Sequence, residues 1–590
     1  MALTKIQIQP GIQKQTSDLG AGGSYIDCDN VRFRYGLPEK IGGWTKTTTN
    51  TLIGVVRDAH HWVALDGTRL AALGTDKKLY IYANDILYDI TPARQTNSSV
   101  GNIFTTANGT ANVTVNITGH GASVGDIVTF SGTTGLSGTS YTATNFDRSF
   151  EIKSITSANA FVIQQDVNET TGTVTTGTAT AVFDIGIAPP SSTFGYGWGT
   201  STWNTEAWNT PRSSSSVTLN GRDWSIDNFG ELMIATVLDG STFQWSPTND
   251  GLTGKATAIT NAPTASKFSL VSTPDRHLIL FGTEKTVGSG GSQDPLLLRF
   301  SSQEDINTYQ PTAENTAGSL RIQDGSTIVG ADKARGQILV WTDTSLHALQ
   351  FIGPPFTFGL NQLGRNCGLL GQHAGVVVRD VSYWMGQNAF FVFDGTVKKL
   401  PCTVDDFVFE NIDLTQTDQI FAGVNTEFAE IIWFYVTNPD NITSPQINKC
   451  VIYNYLEQSW AVGTLNRTSW VDRGVFSNPL ATEYLTDSVT NATPTVVGLS
   501  NGVSRYYAQE SGTDNDGQAM NSFIQTGDFT ISAQGEAPMR ISKFVPDFRD
   551  QSGNLDITFS FKNYPYGDVI SQAALTVATT DTKKDRKSVV

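Results

Sequence analysis

Short apolar runs separated by polar turns rich in Gly, Asp and Asn recur along most of the chain, and pairs of them read as β-hairpins. They appear as RLAALGTDKKLYIYANDILYDIT from Arg69, ELMIATVLDGSTFQWSP from Glu231, KFSLVSTPDRHLILFGT from Lys267 and QILVWTDTSLHALQFI from Gln337. The series continues with VSYWMGQNAFFVFDGTVKKL from Val381, EIIWFYVTNPD from Glu430 followed by CVIYNYLEQSWAV, and PTVVGLSNGVSRYYA from Pro494. Roughly seven such units at intervals of ~40–70 residues, with no long amphipathic helix among them, predict an all-β chain built as a β-propeller of about 6–8 four-stranded blades. No strict repeat such as a Trp-Asp dipeptide recurs, so a string of β-sandwiches is the structural rival. A few short helical turns, for instance around Ser302 to Tyr309, complete the expectation.

The pattern sets the boundaries. Residues 1–50 read as an N-terminal arm with the first propeller strands, 51–93 as the first part of the propeller, and 185–515 as its remainder. Residues 94–184 interrupt it: the runs ANVTVNIT, GDIVTFSG, FEIKSIT and NAFVIQQ lie among Thr, Gly and Ser and predict a small inserted β domain on the outer surface. After the insert comes IAPPSSTFGYGWGTSTWNTEAWNTP from Ile187, a loop alternating Gly with aromatics. Its Phe194, Tyr196, Trp198, Trp203 and Trp208 read as interface aromatics plugging a subunit seam or capping the propeller, or else as a glycan-stacking platform. Residues 516–582 alternate as strands of a C-terminal β-sandwich-like domain, and 583–590 form a basic tail.

Composition narrows the function. Charged residues make up only 16% and the formal net charge is -16 over 590 residues, so a clamp that neutralises several phosphates is not expected. Only the tail, with Lys583, Lys584, Arg586 and Lys587, is locally basic. Cys28, Cys367, Cys402 and Cys450 show no C-x-x-C spacing, which excludes a zinc knuckle and favours buried free thiols. No apolar leader and no run of about 18 apolar residues is present, so neither a signal peptide nor a membrane span is expected.

Catalytic patterns are missing as well: there is no G-x-S-x-G elbow, phosphate loop or H-E-x-x-H helix. His60 and His61 are neighbours and so face opposite sides of a strand, while His120, His277, His347 and His373 are scattered. Asp405 and Asp406 are adjacent. The run Asp514-Asn515-Asp516-Gly517 starts like a calcium loop but lacks its downstream Glu. Ser225 to Gly230 approaches a sialidase box without its Trp and reads as a turn. No enzyme activity, cofactor or metal is predicted.

Three segments carry a family resemblance. The first, PGIQKQTSDLGAGGSYIDCDNVRFRYGLPEKIGGW, contains Asn30, Arg32, Phe33, Arg34, Gly36, Pro38, Glu39, Lys40, Gly43 and Trp44. The second contains Ser302, Asp305, Tyr309, Pro311, Asn315 and Gly318, with Tyr309 where a Trp is more usual. The third runs from Gly371 to Leu400 and includes Asp394 and Gly395 in its hairpin. Together they resemble the propeller-type tail hub or nozzle proteins of short-tailed bacteriophages, also called packaged-DNA stabilisation proteins, over residues 1–93 and 185–570.

The resemblance implies a structural virion protein made in the host cytoplasm. It would form a homohexameric ring below the head-tail adaptor protein, retaining double-stranded DNA and conducting it during ejection. Tail fibre, spike or needle proteins are the further partners. No catalytic residue is implied. The insert separately resembles a small β module of phage tail proteins. The alternative function is a carbohydrate-binding or glycan-cleaving propeller tail protein, which would gather acid and base groups of opposing pKa at one face. A cellular propeller scaffold is the third reading.

Overall fold

The computed structural model describes residues 8–193, 220–289, 293–439, 445–486, 496–499, 502–528, 543–545, 548–564, 567–579 and 584–585. The chain is all-β, and its body is a series of small antiparallel sheets in a propeller-like arrangement. The first sheet comprises Val56–Val63, Arg69–Thr75, Leu79–Ala83 and Ile86–Asp89. The second sheet begins at Trp224–Phe229, the third at Phe268–Ser272, the fourth at Ile328–Ala334, the fifth at Gly375–Val378 and the sixth at Phe421–Asn425, each a four-stranded meander. The seventh joins Ser469–Val471, Leu480–Leu485 and Val503–Gln509 to the N-terminal strand Trp44–Lys46. The first strand of each sheet packs against the first strand of the next, and that of the seventh packs back against that of the first.

Two side-chain devices hold neighbouring sheets together. Buried tryptophans donate their indole N–H to a backbone carbonyl of the preceding segment: Trp224 to Thr75 at 2.8 Å, Trp384 to Cys367 at 2.9 Å, Trp433 to Ala374 at 3.0 Å and Trp470 to Val424 at 2.8 Å. A buried indole needs such a partner, and the ring supplies the apolar filling. Glycines make room for two of these rings, since a Cβ on Gly74 would stand 2.5 Å from Trp224 and one on Gly423 2.7 Å from Trp470. The second device uses carboxylates. Asp58 accepts from the Ile226 amide at 2.7 Å, Asp227 from the Val271 amide at 2.8 Å, and Asp332 from the Val377 amide. The linked residues occupy the first strands of consecutive sheets, so those strands run side by side in the same sense. The run from Ser225 to Gly230 is therefore mostly strand, with the turn only at its end.

Residues 93–184 form a sheet of their own with a separate core around Phe104, Phe130, Phe146 and Phe161. It does not hang free. Its edge strand Ser149–Glu151 pairs in parallel with Val496–Val497 from the seventh sheet's long second connection. Lys77 reaches Glu151 at 2.6 Å, and Lys78 reaches Asp184 at 2.9 Å and Asp89 at 2.6 Å, with both lysines buried. Strand Phe523–Thr526, inside the expected C-terminal unit, pairs with the N-terminal Ser24–Asp29. The remaining described C-terminal residues make three two-stranded ladders.

The described helices are Ala143–Phe146, Asp405–Phe409 and the 3-10 turn Leu414–Gln419. The helical turn expected around Ser302 to Tyr309 is instead a chain of tight turns, because Asp305 accepts from the Asn307 amide at 2.8 Å and the Thr308 hydroxyl at 2.6 Å. Those local bonds compete with a helix for the same donors.

Candidate functional site

The first strands of the sheets bring polar groups to a common axis. Asp58 and His60 come from the first sheet, Asp227 and Asn228 from the second, Asp332 and Lys333 from the fourth, and Gln372 and His373 from the entry to the fifth. His60 Nε2 lies 2.8 Å from Asn228 Oδ1, and Lys333 Nζ lies 2.6 Å from Asp227 Oδ2. His373 Nε2 is 3.2 Å from Asp223 Oδ1 and 3.1 Å from the Trp224 carbonyl. Its side chain keeps 26% of its surface accessible, on the wall of a small cavity.

Enclosure shapes the ionisation here. Burial pulls the His373 imidazole down, but the Asp223 charge and hydrogen bond, with Asp58 behind them, raise it to about 9. Burial lifts the Asp332 carboxyl to about 6 and also raises Asp58. His61, facing the other way, is pushed down to about 3 by burial and sits 2.7 Å from the Tyr506 hydroxyl.

A cavity of about 180 Å³ is lined by Asp332, Trp341, Gln372, His373, Gly375 and their apolar neighbours. One end of the axis is crossed by the segment after the insert. Arg57 donates to the Pro190 carbonyl and to Gln446 at 2.7 Å, Ser192 donates to Asp418 at 2.6 Å, and Gln416 donates to the Ser192 carbonyl at 2.8 Å. The cavity is below the ~300–1,000 Å³ of ordinary ligand pockets, so a sugar chain does not fit it. A larger open groove of about 520 Å³ lies on the insert, lined by Thr105, Thr114, Lys153, Ser154 and Thr173 among others, with no carboxylate and no aromatic ring. No group of three His, Cys, Asp or Glu that could hold a metal occurs among the described residues. The Asp514–Gly517 run is engaged elsewhere: Asn515 accepts from the Trp44 indole at 2.6 Å and Asp516 pairs with Lys46 at 2.5 Å. The four cysteines are free thiols.

Most residues of the N-terminal motif lie where the N-terminal strands meet the sixth and seventh sheets. Arg32 is buried between Glu430, at 3.0 Å, and Glu510, with its guanidinium 3.6 Å from the centre of the Phe428 ring. Phe33 and Trp44 are buried. Asn30 donates to the Asn521 carbonyl at 2.7 Å and Lys40 to that of Thr513 at 2.8 Å. Arg34 lies over Tyr35 and Phe428, and the Gly36 amide donates to Glu457 at 3.1 Å. Pro38 and Glu39 lie in the strand Leu37–Lys40. Gly43 is packed so closely on Asp514 that a Cβ would stand 2.2 Å from its carbonyl oxygen.

The second motif forms the connection between the third and fourth strands of the third sheet, where Tyr309 is buried, Asn315 bonds the Gln310 carbonyl at 2.9 Å, and Gly318 touches Phe300. Ser302 and Pro311 belong to the same turns. Asp394 and Gly395 make an exposed hairpin turn in the fifth sheet, where Asp394 pairs with Lys398 at 2.7 Å. Trp198, Trp203 and Trp208, with Phe194 and Tyr196, lie outside the described residues, as do Lys583, Arg586 and Lys587. Neither the axial cluster nor the indole staples were singled out from the sequence, because their members come from different sheets.

No protein-family model matches the sequence, and none of the curated proteins matches it. Solved structures similar to the chain include a phage phi92 endosialidase, at 11% identity with a TM-score of 0.21, over 100% of this chain and 94% of that one. The C-terminal WD40 domain of Sif2 is similar at 7% identity with a TM-score of 0.31, over 80% and 99%. The AfRom2 CNH domain is similar at 10% identity with a TM-score of 0.25, over 48% and 93%. Likenesses at this level carry no argument about activity.

Proposed function

We propose that the chain is a structural, non-enzymatic subunit of a short-tailed phage tail, a closed seven-bladed propeller that assembles as a homohexameric hub or nozzle ring. One observation supports this reading: most of the ten residues of the resembling N-terminal segment pack where the N-terminal strands meet the sixth and seventh sheets, and none of them lines either cavity described above. A motif given over to packing at such a seam suits a structural wall, whereas an enzyme would concentrate its signature around a pocket. Closure is supported by the return of the seventh sheet's first strand to the first sheet's and by the N-terminal strand Trp44–Lys46, which supplies the outer strand of the last sheet.

The axial cavity within one chain cannot pass a duplex whose major groove alone is ~12 Å wide. In this reading DNA runs through the centre of the ring of subunits, not through the propeller. Mass photometry of the purified chain and imaging of particles test the assembly. Six copies per ring are expected, and a trimer or a lone monomer in the virion overturns the proposal.

A further inference from the structure

The fourth sheet ends in a hairpin unlike the others. Its strands Ser345–Gly353 and Thr357–Arg365 are nine residues each, and between Asp343 and Arg365 the sequence holds no Asp, Glu, Lys or Arg. His347, the one titratable group there, is lowered by burial and stays neutral. At the tip Phe351 is 38%, Ile352 57% and Phe356 72% exposed. The base is anchored: Phe358 is buried, its ring 5.7 Å from that of Phe351 and 5.2 Å from His277, and Thr357 donates to the Thr316 carbonyl at 3.2 Å.

We propose that this tip is a lipid-docking finger that enters the apolar boundary of a bilayer with Phe351, Ile352 and Phe356 while the body stays outside. Two features favour lipid over a protein partner. Protein docking sites favour Arg and Tyr, and the run from Thr344 to Gly364 holds neither, nor any other charged side chain. The backbone also leaves few donors at the turn: the ladder breaks at a bulge around Ile352 but pairs again at Gly353 opposite Thr357, and Pro354 and Pro355 have no N–H to leave unpaired.

The finger shares its end of the body with other exposed apolar turns, including Leu65 at 89% and Leu456 at 64%. First and third turns of antiparallel four-stranded sheets fall at the same end, which also carries the charged turns of Arg335 with Asp380 and Glu427 with Arg473, so the finger has to reach past them. With a net charge of -16, attraction to anionic lipid is not the driving force. No helix among the described residues is long and apolar enough to cross a membrane, and the finger is an interfacial contact, not a span.

The full chain should float with phosphatidylcholine vesicles, and equally well or better than with vesicles containing phosphatidylglycerol. Phe351→Asp with Phe356→Asp should weaken partition at least tenfold. Phe356→Trp should keep it and shift its fluorescence to the blue on adding vesicles. Far-UV circular dichroism shows whether the aspartate variant folds, and if it does not, the tryptophan variant decides alone. Failure of the native chain to float, or no blue shift, overturns the proposal. So does a change of oligomeric mass in the aspartate variant without lipid, which would assign the tip to contact between copies.

Discussion

Replacing Arg32 by Met tests whether the N-terminal seam holds the body closed. Arg32 is 2% and Glu430 1% exposed, and the contact between them, at 3.0 Å, is a charge contact rather than a well-angled hydrogen bond. Glu510 adds a second carboxylate, which also accepts from the Gly42 amide at 2.9 Å and the Asn425 amide at 3.1 Å. Removing one partner of a buried ion pair leaves an uncompensated charge and costs ~3–5 kcal/mol. Urea unfolding at pH 8, followed by tryptophan fluorescence, should show a loss of that size.

The pH dependence fixes the cause. Burial raises Glu430 to about 7 despite Arg32, so the folded chain binds a proton that the unfolded chain has released above ~4.3. Stability from this group therefore falls as pH rises from ~4.3 towards 7. Without Arg32 the carboxyl rises further, so the variant's deficit should grow with pH above 7 and shrink at pH 5.5, where Glu430 is protonated in both proteins. Adding Glu430→Gln should recover part of the loss at pH 8. A deficit below ~1 kcal/mol at pH 8, or one unchanged at pH 5.5, would refute the account of the seam.

Excising residues 94–184 should lower the thermal midpoint of the remaining body, because Lys77 loses Glu151 and Lys78 loses Asp184, and adding Lys77→Ser should recover part of the drop; an unchanged midpoint would show that the anchors are idle. Gly423→Ala should cost ~1–3 kcal/mol in chemical unfolding by pressing on the Trp470 ring, whereas Gly395→Ala, which meets no neighbour but has a φ of +110°, should cost only its backbone strain. The purified protein should bind duplex DNA weakly at physiological salt, and submicromolar affinity with a steep salt dependence by fluorescence anisotropy would contradict the proposed conduit reading.

The strand runs were legible because alternation and turn residues are local signals. Runs such as Arg69–Thr75 and Leu79–Ala83 appear in the structure with the turn at Asp76 and Lys77 where the polar residues stand. The change of character at residue 94 was equally plain, since Thr- and Gly-rich runs replace the longer apolar ones. What could not be read is the partnership of distant residues. The buried Lys77 and Lys78 look like an ordinary polar turn until Glu151 and Asp184 are brought to them, and Asp58, Asp227 and Asp332 look like surface acids until each meets the amide of the next sheet. Ser225 to Gly230 reads as a turn from sequence because it approaches a sialidase box without its Trp, and its Ser, Asp and Asn are residues that turns also use. In the structure these side chains serve neighbouring strands, and tertiary bonding overrides the local preference.

Those same pairings bear on the proposed conduit role of an acidic chain. A phosphate clamp needs cations free to face the duplex, yet many of the cations described here are committed inward. Arg32 is held by Glu430 and Glu510, Lys78 by Asp89 and Asp184, Lys333 by Asp227, and Arg467 lies with its guanidinium 4.4 Å from the centre of the Trp44 ring. The exposed Arg335 and Arg473 sit beside Asp380 at 3.7 Å and Glu427 at 2.6 Å. Screening over a Debye length of ~8 Å at physiological salt leaves such neutralised pairs little reach. In the proposed ring such a wall would offer a passing duplex few deep electrostatic minima, which is the property a conduit needs if its cargo is to be held by fit before ejection and then released without being gripped.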